Sequence, residues 1–127
     1  MASVASAATL SSTIHFARVW SGSKFESGYK KRGLGEIEVR DETGALFANA
    51  YVTYSWTGCT IETGSGFTDS LGVLKFVTKK TPACGRGGRA NCFFELTATG
   101  LSVATPPPDY DPALDVDTFH SAICTVE

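Results

Sequence analysis

Asp41-Glu42-Thr43-Gly44-Ala45-Leu46-Phe47-Ala48-Asn49-Ala50-Tyr51-Val52-Thr53-Tyr54-Ser55-Trp56 joins a charged turn to a run of alternating small, apolar and polar residues. A chain reversal needs a residue that tolerates positive φ, which Gly44 supplies, and short polar side chains such as Asp41 and Thr43 that hydrogen-bond the local backbone. Beyond the turn the period is two, as in a half-buried strand, with Ala50, Val52, Tyr54 and Trp56 on one face and Tyr51 on the other. Each large ring buried there contributes on the order of 2–3 kcal/mol. The device recurs at Thr68-Asp69-Ser70-Leu71-Gly72 ahead of Val73-Leu74-Lys75-Phe76-Val77. Two Asp-to-Gly turns, each followed by a strand, predict a β-rich chain.

Working outward, Thr13 to Trp20 alternates as a first strand, with Ile14, Phe16 and Trp20 on one face and His15, Ala17 and Val19 on the other. Lys24 to Gly33 carries Lys24, Lys30, Lys31 and Arg32 between glycines, which predicts an exposed loop or an edge hairpin blunted by its cations. Gly35 to Arg40 points Ile37 and Val39 inward and Glu36, Glu38 and Arg40 outward. Leu74 and Phe76 form one further inner face; Phe94, Leu96 and Ala98 form another; a last strand is expected over Thr118 to Val126. Gly64-Ser65-Gly66 reads as a flexible turn, and Pro106-Pro107-Pro108 forces an extended connection. No 3.6-residue apolar period persists for about ten residues, so almost no helix is expected. Strands with this turn spacing predict an all-β fold, an immunoglobulin-like antiparallel β-sandwich of about seven strands.

A chain of 127 residues holds one domain of ordinary size, with residues 1–12 expected as a linker and 13–127 as the sandwich. Residues 2–13 lack the basic start and apolar centre of a secretion signal, which places any such signal upstream. A formal net charge of −2 provides no basic field for a phosphate backbone, so nucleic acid is not an expected partner. No apolar run approaches the roughly 18 residues of a membrane helix, so no membrane insertion is expected.

Cys59, Cys84, Cys92 and Cys124 are an even set in a small β-rich chain, which predicts two disulfides and a secreted or cell-surface location. A four-thiolate zinc site competes, but no close pair such as C-x2-C is present. On an antiparallel sandwich all four gather near one pole. Cys84–Cys92 with Cys59–Cys124 is favoured by the short loop, and Cys92–Cys124 with Cys59–Cys84 by strand adjacency; the sequence leaves both open.

The run Val39 to Val52, a Val-x-Asp-Glu-x-Gly turn followed by a small-residue-led strand, resembles bacterial immunoglobulin-like domains of the invasin and adhesin type. Thr68 to Phe76 is similar to their later Thr-Asp-x-x-Gly strand, and Tyr110-Asp111-Pro112 looks like the Tyr-Asp-Pro tail of such modules at the C-termini of secreted bacterial enzymes. The resemblance touches most of residues 14–127 and rests on the order and spacing of the motifs. It implies a non-catalytic accessory domain of a larger exported bacterial protein, acting as spacer, stabiliser or binding module, with the rest of that protein as its partner. The alternative, from another functional class, is a carbohydrate-binding module that anchors a secreted enzyme to a polysaccharide; a glycan or cell-surface ligand is then the second partner.

Catalysis would draw on His15 and His120, the two imidazoles, which are expected to be exposed strand residues outside any motif. Glu36 and Glu38 lie about 7 Å apart on one strand face, a separation open to a glycosidase pair, yet an alternating wet face accounts for them. Asp109, Asp111, Asp115 and Asp117 crowd the approach to the last strand. Their oxygens suit calcium, the one cofactor entertained, although a solvated turn is the simpler expectation. Tyr51, Tyr29, Phe93 and Tyr110 are the candidate ligand-binding rings, able to stack on sugar faces or fill a partner's pocket; packing over the core rim is the plainer alternative.

Overall fold

The computed structural model describes residues 11–25, 30–82 and 92–124. In chain order their strands are β1 (Thr13–Phe25), β2 (Lys30–Asp41), β3 (Tyr51–Gly58), β4 (Glu62–Phe67), β5 (Val73–Val77), β6 (Thr81–Pro82), β7 (Phe93–Ser102), β8 (Asp109–Tyr110) and β9 (Phe119–Ile123). One sheet has the order β5-β2-β1-β8, with β6 also on β2, and the other has the order β4-β3-β7-β9. All pairings are antiparallel except β1 with β8. The chain is an all-β sandwich, with no α-helix among the described residues and a 3-10 turn at Pro112–Leu114.

The core lies between the sheets. Ile14, Phe16, Val19, Ile37 and Val39 from the first meet Val52, Trp56, Phe94, Leu96 and Ala98 from the second, all buried. Trp56 sets its ring edge-on to Phe76 at 6.0 Å and to Phe94 at 6.2 Å, the arrangement that ring quadrupoles favour.

Both Asp-to-Gly turns form, and they are chemically the same. Asp41 Oδ1 accepts from the Thr43 and Ala45 amides, as Asp69 Oδ1 does from those of Leu71 and Val73. Gly44 and Gly72 donate back to the aspartate carbonyls at 3.0 and 2.9 Å, each at positive φ. Asp41 is nearly buried, and burial alone would raise its pKa; hydrogen bonds from Thr43, Ser11 and the Ala45 backbone outweigh it and hold the carboxyl below the usual range. The strand expected directly after the first turn begins later. Residues 45–50 cross from one sheet to the other, anchored by the Arg40–Leu46 bridge, Asn49 at φ 62° and Thr68, whose hydroxyl accepts from Ala50 and donates to Phe47.

Four local expectations are corrected. A bulge between Phe16 and Arg18 shifts the phase of β1, so Val19 faces the core and Trp20 faces outward. Of the exposed loop or edge hairpin expected over Lys24 to Gly33, the hairpin forms, with Lys24 paired to Arg32 and Phe25 to Lys31, but Lys31 is buried rather than exposed. Gly64 to Gly66 are not a turn but lie within β4, where Cβ atoms at Gly64 and Gly66 would meet Tyr54 and Leu74 side chains at 2.4 and 2.8 Å. The last strand is shorter than expected, ending at Ile123.

Candidate functional site

The two outer surfaces of the sandwich differ in chemistry. On the sheet containing β1 and β2, Arg18 pairs with Glu36 at 3.3 Å and Arg40 with Glu38 at 2.5 Å, beside exposed Lys75. The two glutamates entertained as a catalytic pair are therefore ion-paired outward-facing residues of β2. On the β4-β3-β7-β9 sheet, alternation brings hydroxyls and rings outward instead. Thr53 stands between Ser65 and Thr99, and its Oγ1 lies 2.9 Å from that of Thr99. The next row is Thr63, Ser55, Thr97 and Phe119. Tyr51 and Phe67 close one end as a cross-strand pair with centroids 5.2 Å apart, and Phe93 pairs with Ile123 at the other end. Among the described residues of this face only Glu95 is charged, and its Oε1 accepts from Thr57 Oγ1 at 2.9 Å.

A shallow groove of about 450 Å³ runs between Tyr51, Thr53, Ser55, Thr63, Ser65 and Thr99. Gly64 leaves room for Tyr54, whose ring stacks on Phe76 at 3.8 Å beneath the sheet. Burial, then the neighbouring Glu62 charge, raises the Tyr54 phenol above its ordinary pKa. Among the expected ligand-binding rings, Tyr51 and Phe93 are exposed on this face. Tyr29 lies outside the described residues. Tyr110 belongs to β8 and packs edge-on against buried Phe16 at 5.4 Å, the plainer alternative weighed for these rings. The hydroxyl rows are masked in the sequence by the turn signature of Gly64-Ser65-Gly66, although the outward series Thr63, Ser65, Phe67 carries the signal.

The four aspartates expected as a solvated turn or a calcium loop are partnered as follows. Asp115 Oδ1 accepts from the Phe16 amide at 2.8 Å and its Oδ2 from the Tyr110 hydroxyl; Asp117 Oδ2 accepts from the Val19 amide at 3.0 Å. Asp111 caps the 3-10 turn, and Asp109 pairs with Thr13 in β8. Burial first, then the bond to Asp115 and its charge, pushes the Tyr110 phenol well above its ordinary pKa. His120, expected to be exposed, is half-buried: its Nδ1 accepts from the Ser21 amide at 2.9 Å, so Nδ1 is the unprotonated nitrogen. Residues 115, 117 and 120 together satisfy the outer edge of β1 where no strand pairs with it. His15 Nδ1 is buried with no hydrogen-bond partner.

At one pole the sulfurs of Cys59, Cys92 and Cys124 lie within 4.8 Å of one another, as gathering at one end required. The connectivity differs from both pairings considered: Cys59 is bonded to Cys92. β3 and β7 are direct neighbours, and the Cys59 amide donates to Phe93 O at 2.8 Å, which brings the two half-cystines together. Cys124 is also disulfide-bonded, and Cys84 lies outside the described residues. Oxidised, Cys59 and Cys92 offer no thiolate to a metal. Closing 33 residues, their bridge stabilises the fold by about 4 kcal/mol in the chain-entropy account. No helix among the described residues is long and apolar enough to cross a membrane.

Comparisons with protein-family models, curated proteins and solved structures return no match to this chain.

Proposed function

We propose that this chain is a non-catalytic accessory module of a larger exported protein and that it acts through a surface, the outer face of the β4-β3-β7-β9 sheet. The observation that carries this reading is the contrast between the two faces. One carries two ion pairs beside a groove lined by Trp20, Leu34, Lys75 and Val77, while the other, among the described residues, offers hydroxyls and four exposed rings or aliphatic groups at its ends with a single carboxylate. Depletion of charge and enrichment in aromatic residues is the composition of a contact surface. The groups that acid–base chemistry would use are otherwise committed, Asp115, Asp117 and His120 to backbone amides and Glu36 and Glu38 to arginines. The Cys59–Cys92 bridge supports an oxidising destination.

The test is deletion of residues 13–127 from the protein that carries them. Yield or retention outside the cell falls, while kcat and KM for a small soluble substrate of that protein stay unchanged. A fall in kcat of roughly tenfold, of the size that loss of a transition-state contact produces, would overturn the accessory role.

A further inference from the structure

We propose that the outer face of the β4-β3-β7-β9 sheet binds a neutral polysaccharide strand, an inference that rests on the accessory reading above and names its ligand. Two features of the face converge on that chemistry. Its centre is built from hydroxyls, with Thr53 and Ser55 of β3 flanked by Ser65 and Thr63 of β4 and by Thr99 and Thr97 of β7. A hydroxyl both donates and accepts, so it can meet a sugar hydroxyl in either sense, which neither a carboxylate nor an ammonium can do. Its end carries two exposed rings, Tyr51 at 36% and Phe67 at 60%, paired across strands and tilted 52° to each other, which offers aromatic surface for a sugar's C–H face.

Charge decides between occupants. The outward-facing strand positions described on this face include no lysine or arginine to meet a phosphate, sulfate or uronate, and their one carboxylate is already engaged by Thr57. A second copy of the same face would bury six hydroxyls against six others without a fixed pattern of partners, a desolvation cost that apolar sheet faces avoid. A polyhydroxylated neutral chain replaces the lost water hydrogen bonds with its own. Four strands about 4.8 Å apart and seven residues at about 3.3 Å give a platform on the order of 14 by 20 Å, room for several sugar rings rather than one.

Affinity electrophoresis of the intact chain through gels of hydroxyethyl cellulose, xylan, galactomannan and, as the polyanion, alginate tests this. At least one neutral polymer retards the protein, alginate does not, and the retardation survives a roughly tenfold rise in salt because no ion pair forms. Y51A/F67A weakens binding roughly tenfold or more, as loss of two aromatic contacts does. T53V/T99V, which keeps the shape and removes two hydroxyls, weakens it severalfold, and W20A on the opposite face leaves it unchanged. Should Y51A/F67A fail to fold by circular dichroism, F67A alone replaces it.

Migration unaltered in every neutral gel would overturn the proposal. So would retardation by alginate alone, or loss of binding in W20A with Y51A/F67A unaffected. A concentration-dependent dimer in sedimentation that Y51A/F67A abolishes would assign the face to a second copy and overturn it equally. A negative glycan panel with the deletion phenotype intact removes the ligand and keeps the accessory role; a fall in kcat on deletion removes the role itself.

Discussion

Asp115 is the residue whose removal tests the architecture most directly. Its carboxylate accepts from the amide of Phe16, a residue almost wholly buried, at 2.8 Å, and from the Tyr110 hydroxyl, whose ring packs on Phe16. Asp115→Ala leaves both donors without a protein partner at the point where β1 bulges. A hydrogen bond to a charged group is worth about 1.5–3 kcal/mol, and an orphaned buried amide costs about 1–3 kcal/mol. With water reaching the half-exposed side of the site, the two losses together come to roughly 2–4 kcal/mol. For a domain of this length that is a fall in Tm of roughly 8–16 °C. Tyr110→Phe breaks one bond only and costs about 1 kcal/mol, while Asp115→Asn, which keeps a carbonyl for the Phe16 amide, falls between. Equilibrium urea denaturation with disulfides intact, run as a double-mutant cycle over Asp115 and Tyr110, separates the two bonds. An Asp115→Ala variant within about 0.5 kcal/mol of the parent, the range of an ordinary surface change, refutes the assignment.

The held-down Asp41 carboxyl contributes stability that is complete above its unfolded pKa and lost as pH falls below roughly 4. Asp41→Asn therefore destabilises by about 1–2 kcal/mol near neutrality and flattens the acid limb of a Tm against pH curve; an unchanged limb would count against it. Tyr110 works in the opposite direction, its raised pKa giving stability that is full below about pH 10 and lost as pH climbs through the folded value. Its phenolate absorbance should appear later than that of free tyrosine, and earlier in Asp115→Ala than in the parent. Gly58 sits at φ +88° with the Phe93 carbonyl oxygen 2.0 Å from where a Cβ would stand. Gly58→Ala costs at least about 2 kcal/mol, seen as a lower Tm, and a melt unchanged from the parent contradicts the close approach of β3 and β7.

What was legible in the chain was what neighbours in sequence decide. The two Asp-to-Gly turns set their own hydrogen bonds within five residues, and the inner faces of β2 and β7 follow from alternation at Ile37, Val39, Phe94, Leu96 and Ala98. What was not legible depends on contacts between distant segments. The bulge that turns Val19 inward is held by Asp115 and Asp117, 98 or 99 positions away from the amides they bind. The same distance conceals that Asp115 and Asp117 cap the free edge of β1. The Cys59–Cys92 bond follows from β3 lying beside β7, a strand order that no local pattern encodes. Gly64 and Gly66 carry the local signature of a turn, yet they are small because Tyr54 and Leu74 need the space beside them.

These distant contacts also bear on the candidate face. β8 lies on the sheet of β1, and β9 is the outermost strand of the opposite sheet, so the segment between them ties one sheet to the other. Along it Asp115, Asp117 and His120 bind successive amides of β1 at Phe16, Val19 and Ser21. Those bonds fix where Phe119 and Ile123 emerge on the hydroxyl-lined surface, because His120 lies between them and must point inward for its Nδ1 to reach Ser21. A flat binding face needs every strand held at one level, and on the β9 side that level is set by side chains reaching across to β1. Loosening Asp115 should therefore disturb the Phe119 end of the face while leaving the Tyr51 and Phe67 pair, on strands that the aspartates do not touch, in place. Amide exchange accelerated at β9 but not at β3 or β4 in Asp115→Ala is the expected result, and uniform acceleration across the sheet would show that the aspartate acts on global stability alone.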